Sequence, residues 1–169
     1  MKFNVDRCSV IHFGHKNKNH VYKLGNHSLE SSAKEKDLGI IVEKSLKFSD
    51  QCSIAVKNAS STLGIIRRHV KSRKKEIIGR LYKSLVRPKL EFCVQTWSPY
   101  LRKDIDSMER VQRRATKMIG QCQNLSYEKR LKAAGLITLD KRRERGDLIQ
   151  VFKLIKGFDK VDYKHLFQL

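Results

Sequence analysis

The sequence predicts an α+β fold, with a small N-terminal antiparallel hairpin or sheet followed by a mainly α-helical region. Two observations lead to this fold class. Residues 1–47 contain short β-branched and aromatic runs interrupted by glycine, whereas from residue 48 onward apolar side chains recur at the three- and four-residue spacing of helices. With 169 residues, 40% of them hydrophobic, the chain is long enough for one packed domain. We divide it into a sheet region, 1–47, a helical region, 48–157, and a C-terminal tail, 158–169.

The sheet region carries several strand signals, bounded by turn residues. Gly25 and Asn26 separate two short runs, and a two-residue turn of this composition favours positive φ angles and predicts a β-hairpin. We therefore expect strands within the runs 8–13, 21–24, 27–30 and 38–42.

Five helices are predicted after the sheet region. Ser49 or Asp50 is the expected N-cap of the first helix. The second helix meets Pro88, which should kink or end it near Arg87 because proline lacks a backbone N–H and restricts the residue before it. The hydrophobic periodicity places the five helices at about residues 49–70, 77–87, 105–119, 126–134 and 139–156.

The charge of the chain is strongly positive and unevenly distributed. Lys and Arg number 37 against 17 Asp and Glu, which gives a net charge of +20. Basic side chains at helical spacing neutralise phosphates by releasing counterions, so binding of nucleic acid is favoured over the alternative of a merely solvated helix face. The sequence predicts sequence-nonspecific binding of RNA, DNA or an RNA–DNA hybrid, with these residues as phosphate contacts: Arg67, Arg68, Lys71, Arg73, Lys74, Lys75, Arg113, Arg114 and Lys117.

Aromatic side chains near the basic segment have two possible roles. Tyr82, Tyr100 and Trp97 are candidates for stacking on bases. For Tyr82 and Trp97 core packing is the favoured role, because both continue apolar stripes.

Other classes of function find no support in the sequence. No apolar run is long enough to span a membrane, and the four cysteines are widely spaced, which favours reduced thiols in an intracellular protein of the nucleus or cytoplasm. The spacing of Cys8, His12, His15 and His20 fits no zinc pattern. Clustered carboxylates for a metal centre are also lacking, so we expect no catalytic residue, metal or cofactor in this chain.

Six segments occur along the chain in one order. They are KFNVDRCSVIHFG, KDLGIIVEKSLKFSDQC, LYKSLVRPKLEFCVQTWSPY, MERVQRRATKMIG, SYEKRL and RRERGDLIQVFKLIKG. Together, from Met1 to about Gly157, they resemble the C-terminal part of the reverse transcriptase, an RNA-directed DNA polymerase, of jockey-like LINE (non-LTR) retrotransposons.

The resemblance implies a role for each region. The first segment resembles the palm motif that follows the catalytic aspartates, and the segment around Leu38 and Gly39 resembles the primer grip, whose hairpin holds the primer end. The helices after Phe48 resemble the thumb, which clamps the template–primer duplex by its backbone. The family's [FY]xDD motif, which binds catalytic Mg²⁺ in the complete polymerase, lies before this region, so we expect the chain alone to be inactive.

Two alternatives to the polymerase-derived role stay open. In the first alternative, the helical region is a protein-interaction scaffold, and it would expose an apolar patch around Phe92, Val94 and Trp97. A non-functional truncated remnant of a retroelement would instead unfold without cooperativity. Because the strands of a palm remnant lack their usual partners, we also expect an unpaired sheet edge and the lowest stability in residues 1–47.

Overall fold

Six short strands precede seven α-helices in the computed structural model, which describes residues 4–14, 16–159 and 161. This is the α+β arrangement expected from the sequence. After a 3₁₀ turn at Val5–Arg7 come β1 (Ser9–Ile11), β2 (Lys23–Leu24), β3 (His27–Ser28), β4 (Glu30–Ser32), β5 (Lys34–Asp37) and β6 (Ile40–Glu43).

The strands pair two by two. Strands β2 and β3 form the hairpin predicted at Gly25-Asn26, and Gly25 has φ 62°. Strands β5 and β6 also pair antiparallel, whereas β1 and β4 run parallel, with Ser9 opposite Glu30. The sheet region is therefore not purely antiparallel, because the β2–β3 hairpin lies in the connection that brings β4 alongside β1.

The strand predicted at 38–42 starts two residues late. Leu38 and Gly39, with φ angles of 46° and 89°, form the two-residue turn between β5 and β6. The prediction that they belong to a strand was wrong, because an apolar Leu38 extends the hydrophobic pattern of the strand while its backbone turns. The Leu38 side chain is 86% exposed.

The helical region contains one long interrupted helix and several separate ones. A π-helical segment, Tyr82–Val86, joins α2 directly to α3. The α-helices are α1 (Ser49–His69), α2 (Lys75–Leu81), α3 (Arg87–Glu91), α4 (Val94–Trp97), α5 (Arg102–Lys117), α6 (Tyr127–Ala134) and α7 (Leu139–Ile155).

The helix does not end at Pro88 but changes its winding before it. The N–H of Arg87 donates to the carbonyl of Tyr82, five residues back, and Pro88 sits in the first turn of α3. Four residues of a regular α-helix rotate by about 400° around the helix axis, so side chains four residues apart gradually leave one face of the helix. The wider π-helical turn rotates less per residue and brings them back to that face. The residues four apart that stay buried in this way are Ile78, Tyr82, Val86 and Leu90.

The N-terminus of α1 is capped from outside the helix. The expected cap at Ser49 or Asp50 was wrong, because Phe48 occupies the cap position with φ 54°. The Glu43 carboxylate at the end of β6 accepts the Asp50 N–H at 3.1 Å, and the Ser49 hydroxyl donates to Asp104 Oδ2 at 2.8 Å. The cap thus comes from a strand that packs against the helix start.

The hydrophobic core lies among α1, the α2–α3 helix and α5. Helix α1 packs against α5 and against α3, and Ile40 of β6 joins the same core. Tyr82 and Trp97 are buried, as expected from their apolar stripes.

The C-terminal helix ends where the sequence predicts. Helix α7 stops before Gly157, which has φ 71°. Most of the predicted tail, 158–169, falls outside the described residues. Over the part of the chain that the structure describes, no helix has the length and apolarity needed to cross a membrane.

Candidate nucleic-acid interface

Four of the nine predicted phosphate contacts converge on a cleft between α1 and α5. We call this the basic cleft; its volume is about 470 Å³ and its cations are Arg67, Arg73, Arg114 and Lys117. Arg113 faces an adjoining cavity, and the remaining four lie outside both cavities: Arg68, Lys71, Lys74 and Lys75. All nine are exposed except the half-buried Arg73.

Small side chains on α1 leave room for the cations of α5. Ser60, Gly64 and Arg67 follow one another at helical spacing on the face that lines the cleft, and a Cβ added at Gly64 would meet no atom within 4 Å. Arg114 Nη2 donates to Ser60 Oγ at 2.7 Å. This hydrogen bond fixes one guanidinium between the two helices.

Arg73 has a structural function in addition to its predicted one. Its guanidinium donates to the carbonyls of Val70 and Arg67 at 3.0 and 3.1 Å, which lie at the C-terminal end of α1. Its own carbonyl accepts the N–H of Gly120 at 3.0 Å. Arg73 therefore satisfies carbonyls that the helix leaves free and joins the end of α1 to the end of α5.

None of the nine predicted contacts forms an ion pair with another described residue. The ion pairs of the described chain lie elsewhere and involve Lys34, Arg87, Arg102, Arg142 and Arg143. The positive charge of the interface is therefore not neutralised within these residues, and a polyanion would relieve its self-repulsion.

A second cavity, next to the basic cleft, is lined by arginines from two helices. We call it the arginine pocket; its volume is about 610 Å³. Sequence reasoning missed Arg130, because only the packing of α6 against α5 brings it beside the basic stripe of α5. The cations lining the pocket are Arg110, Arg113, Arg114, Lys117 and Arg130.

Tyr127 positions two of these guanidinium groups. The Cζ atom of Arg113 lies 4.5 Å from the centroid of the Tyr127 ring, and that of Arg130 lies 5.5 Å from it. Both distances are in the range of cation–π attraction. One aromatic ring thus orders an exposed and a buried arginine of the same pocket.

A buried polar network holds Tyr127 in place. Its hydroxyl donates to Glu109 and accepts from Gln112 Nε2, while the Tyr82 hydroxyl donates to Gln112 Oε1 at 2.7 Å. Burial raises the pKa of the Tyr82 and Tyr127 phenols well above their ordinary value, so both stay protonated as donors. Sequence reasoning missed Glu109 and Gln112, since polar residues in a basic helix gave no signal of burial.

The residues that resemble a primer grip lie outside both cavities. Leu38 and Gly39 form the tip of the β5–β6 hairpin, and a Cβ on Gly39 would lie 3.6 Å from Phe92 Cε1. The tip therefore projects from the sheet region beside the α3–α4 connection.

The described residues offer little for metal or nucleophilic chemistry. No group of three or more His, Cys, Asp or Glu side chains among them is arranged to hold a metal ion, and His15 lies outside the described part. Burial raises the pKa of the Cys52 thiol to about 12, so this cysteine stays protonated at neutral pH. The chemistry of the site is that of cationic hydrogen-bond donors.

Comparison of the chain with protein-family models, with curated proteins and with solved structures gave no match.

Proposed function

We propose that this chain binds RNA, DNA or an RNA–DNA hybrid through the phosphate backbone, in the manner of the reverse-transcriptase thumb that its sequence resembles. The observation that carries the proposal is the convergence of cations from α1, α5 and α6 on the basic cleft and the arginine pocket, where none of them forms an ion pair with a described residue. These two adjoining cavities share Arg114 and Lys117, so they present one positive surface.

The side chains at this surface favour backbone contacts over base contacts. Guanidinium groups match the geometry of phosphate oxygens and bind them with paired hydrogen bonds. Trp97 and Tyr82 are buried and unavailable for stacking, whereas Tyr100 is exposed. With one exposed aromatic side chain among the three candidates, the expected binding depends weakly on base sequence.

Salt dependence tests the proposal directly. Fluorescence anisotropy with a labelled DNA duplex, RNA duplex and hybrid should show log affinity falling linearly with log salt, with a slope of roughly −0.7 to −0.9 per phosphate neutralised. Affinity that stays constant between about 50 and about 200 mM salt would overturn the proposal.

Matched charge removal locates the binding surface. The pair Arg67→Gln and Lys117→Gln removes two charges from the basic cleft, and the pair Lys44→Gln and Lys47→Gln removes two exposed charges from the sheet region. We expect the first double variant to bind more weakly and with a salt slope shallower by about 1 to 2, while the second changes little. Equal losses in both would argue against a localised interface.

A second candidate function, a protein-interaction scaffold, is favoured by the outer face of α7. The inner side of this helix carries Arg143, Gly146 and Gln150, whereas its exposed side combines apolar and charged side chains. The expected patch around Phe92, Val94 and Trp97 is wrong as stated, since Val94 and Trp97 are buried. The apolar side chains exposed on α7 are Leu148, Ile149, Phe152 and Ile155.

The exposed charged residues along this helix are mostly basic, so an acidic amphipathic helix is the partner that suits its outer face. The basic residues are Lys141, Arg145, Lys153 and Lys156, and the acidic ones are Glu144 and Asp147. The double variant Leu148→Gln and Phe152→Gln should abolish such an interaction and leave nucleic-acid binding unchanged. If it weakens nucleic-acid binding as much as the basic-cleft variant does, the scaffold role would lose its support.

A further inference from the structure

The arginine pocket contains a buried arginine that has no acidic partner among the described residues. Arg130 is 6% exposed, and no carboxylate in the described part of the chain lies within ion-pair distance of it. Buried charges in proteins are normally paired, because removing a charge from water without compensation is costly. An unpaired guanidinium lining a cavity therefore points to an anionic ligand.

The internal contacts of Arg130 leave part of its guanidinium free. Nε donates to Thr116 Oγ1 at 3.2 Å and Nη1 donates to the Leu125 carbonyl at 2.6 Å. Nη2 makes no hydrogen bond to another described residue, and the Arg130 side chain lines the arginine pocket. The two internal bonds fix the plane of the guanidinium, so its remaining donors have a set direction.

The other arginines of the pocket are held in a similar way. Arg113 lies over the ring of Tyr127, Arg114 is bound to Ser60, and Arg110 Nε donates to the Asp106 carbonyl at 3.3 Å. Each of these contacts uses only part of a side chain that has five N–H donors. A ligand with several charged oxygens can accept the others without reorganising the pocket.

We infer that the arginine pocket is a binding site for a single phosphate group, with Arg130 as its fixed innermost donor. This inference deepens the proposed function, since it rests on nucleic-acid binding at the same surface and adds one discrete position on the bound strand. The phosphate belongs either to a strand terminus or to an internal phosphodiester, and both present the same anionic oxygens.

Inorganic phosphate is the probe for the pocket itself. Titration into the full chain at constant ionic strength, followed by amide NMR shifts, should be saturable and should perturb residues 107–117 and 130. Arg130→Gln should weaken phosphate binding at least tenfold. Arg80→Gln, which removes an exposed charge outside the pocket, is the matched control and should leave it unchanged. If Arg130→Gln does not fold, the exposed Arg110→Gln takes its place with an expected loss of severalfold.

Oligonucleotides with a 5′-phosphate or a 5′-hydroxyl distinguish the two sources of phosphate. Tighter binding of the 5′-phosphate form, lost in Arg130→Gln, supports a terminal phosphate. Equal binding of both forms, weakened by Arg130→Gln more than by Arg80→Gln, supports an internal phosphodiester.

The failure of the inference differs from the failure of the proposed function. Phosphate binding that does not saturate, with Arg130→Gln equal to Arg80→Gln on oligonucleotides, overturns the phosphate site while leaving general nucleic-acid binding intact. Saturable phosphate binding without affinity for any oligonucleotide overturns the proposed function and supports the site.

Discussion

The Glu109 carboxylate of α5 accepts the backbone N–H of Leu139 at 3.0 Å, so a side chain of one helix caps the N-terminus of another. The other oxygen of the same carboxylate accepts the Tyr127 hydroxyl and the Gln112 amide. Glu109 is buried, and its hydrogen bonds join α5, α6 and α7. The orientation of Arg113 and Arg130 therefore depends on this buried carboxylate, because both guanidinium groups lie over the ring of Tyr127.

Glu109→Gln should destabilise the fold. The amide nitrogen would replace an acceptor with a donor inside a network that already supplies donors, and an unsatisfied buried polar group costs about 1–3 kcal/mol. The free energy of unfolding in urea measures this loss.

The exposed Glu144→Gln is the control for Glu109→Gln, with an expected change within about 0.5 kcal/mol. Equal stability of the two variants would show that the network contributes nothing. A wild-type chain without a cooperative transition would support the remnant alternative instead.

Leu38→Asn should stabilise the chain by about 1 kcal/mol, since both turn positions of the β5–β6 hairpin have positive φ and Asn-Gly is the preferred pair for such turns. The same change removes an exposed apolar side chain from the tip that resembles a primer grip. We therefore expect weaker binding of a recessed primer–template relative to a blunt duplex, measured by anisotropy. A variant that is less stable than wild type would show that the positive φ angle of Leu38 does not destabilise the chain.

The sheet region should exchange its amide hydrogens faster than the helices. Its strands have two to four residues each, and only His12 and Ile40 are buried among the described residues before α1. Short, exposed ladders open by local fluctuations that the buried helices do not share. Protection of β5 and β6 equal to or above that of α1 and α5 would contradict this expectation.

Stability should fall as the pH rises from about 9 towards about 12, in part through Cys52. Burial raises the pKa of this thiol in the folded state, so the folded chain holds the proton where the unfolded chain has lost it. The contribution of the protonated Cys52 thiol to stability is complete below the pKa that this thiol has in the unfolded chain. It is lost as the pH rises through the higher pKa of the folded chain.

Cys52→Ala should show a shallower decline in urea midpoint over this pH range than wild type, whereas Cys93→Ala, at an exposed position, should follow the wild-type curve. Parallel curves for wild type and Cys52→Ala would remove Cys52 as a cause.

The chain alone should not extend a primer. The sequence contains no [FY]xDD motif, and phosphoryl transfer by polymerases depends on metal ions held by carboxylates. A primer-extension assay with Mg²⁺, on a template–primer that the chain binds, measures this directly. Template-dependent incorporation above a control without protein would contradict the expectation.

The sequence predicted those features that depend on local pattern. The hairpin at Gly25-Asn26, the apolar stripes of α1 and α5, and the stop at Gly157 follow from turn composition and periodicity. The turn at Leu38 was not predictable in this way, because an apolar residue in the turn extends the hydrophobic pattern of the strand that follows it. The π segment was hidden for a similar reason, since four-residue spacing also fits an α-helix over one or two turns.

The missing parts of the site depend on tertiary packing. Arg130 and Glu109 have ordinary surface-type side chains in basic segments, and no local rule marks either as buried. The basic stripe of α5 was predictable because its cations repeat on one helix. Which of them share a cavity with α1 or with α6 is decided by how those helices pack.

The π segment changes what the loss of one residue would do to the long helix. In an ordinary α-helix, a deletion rotates everything beyond it by about 100° and turns the core side chains outward. Here the segment holds one residue more than an α-helical turn, so losing the exposed Ser84 would return it to regular winding. Tyr82 and Val86 would then stand three residues apart, a spacing that keeps both on one face. This helix thus tolerates the loss of one residue at a site opposite the core, without a change in which side chains face that core.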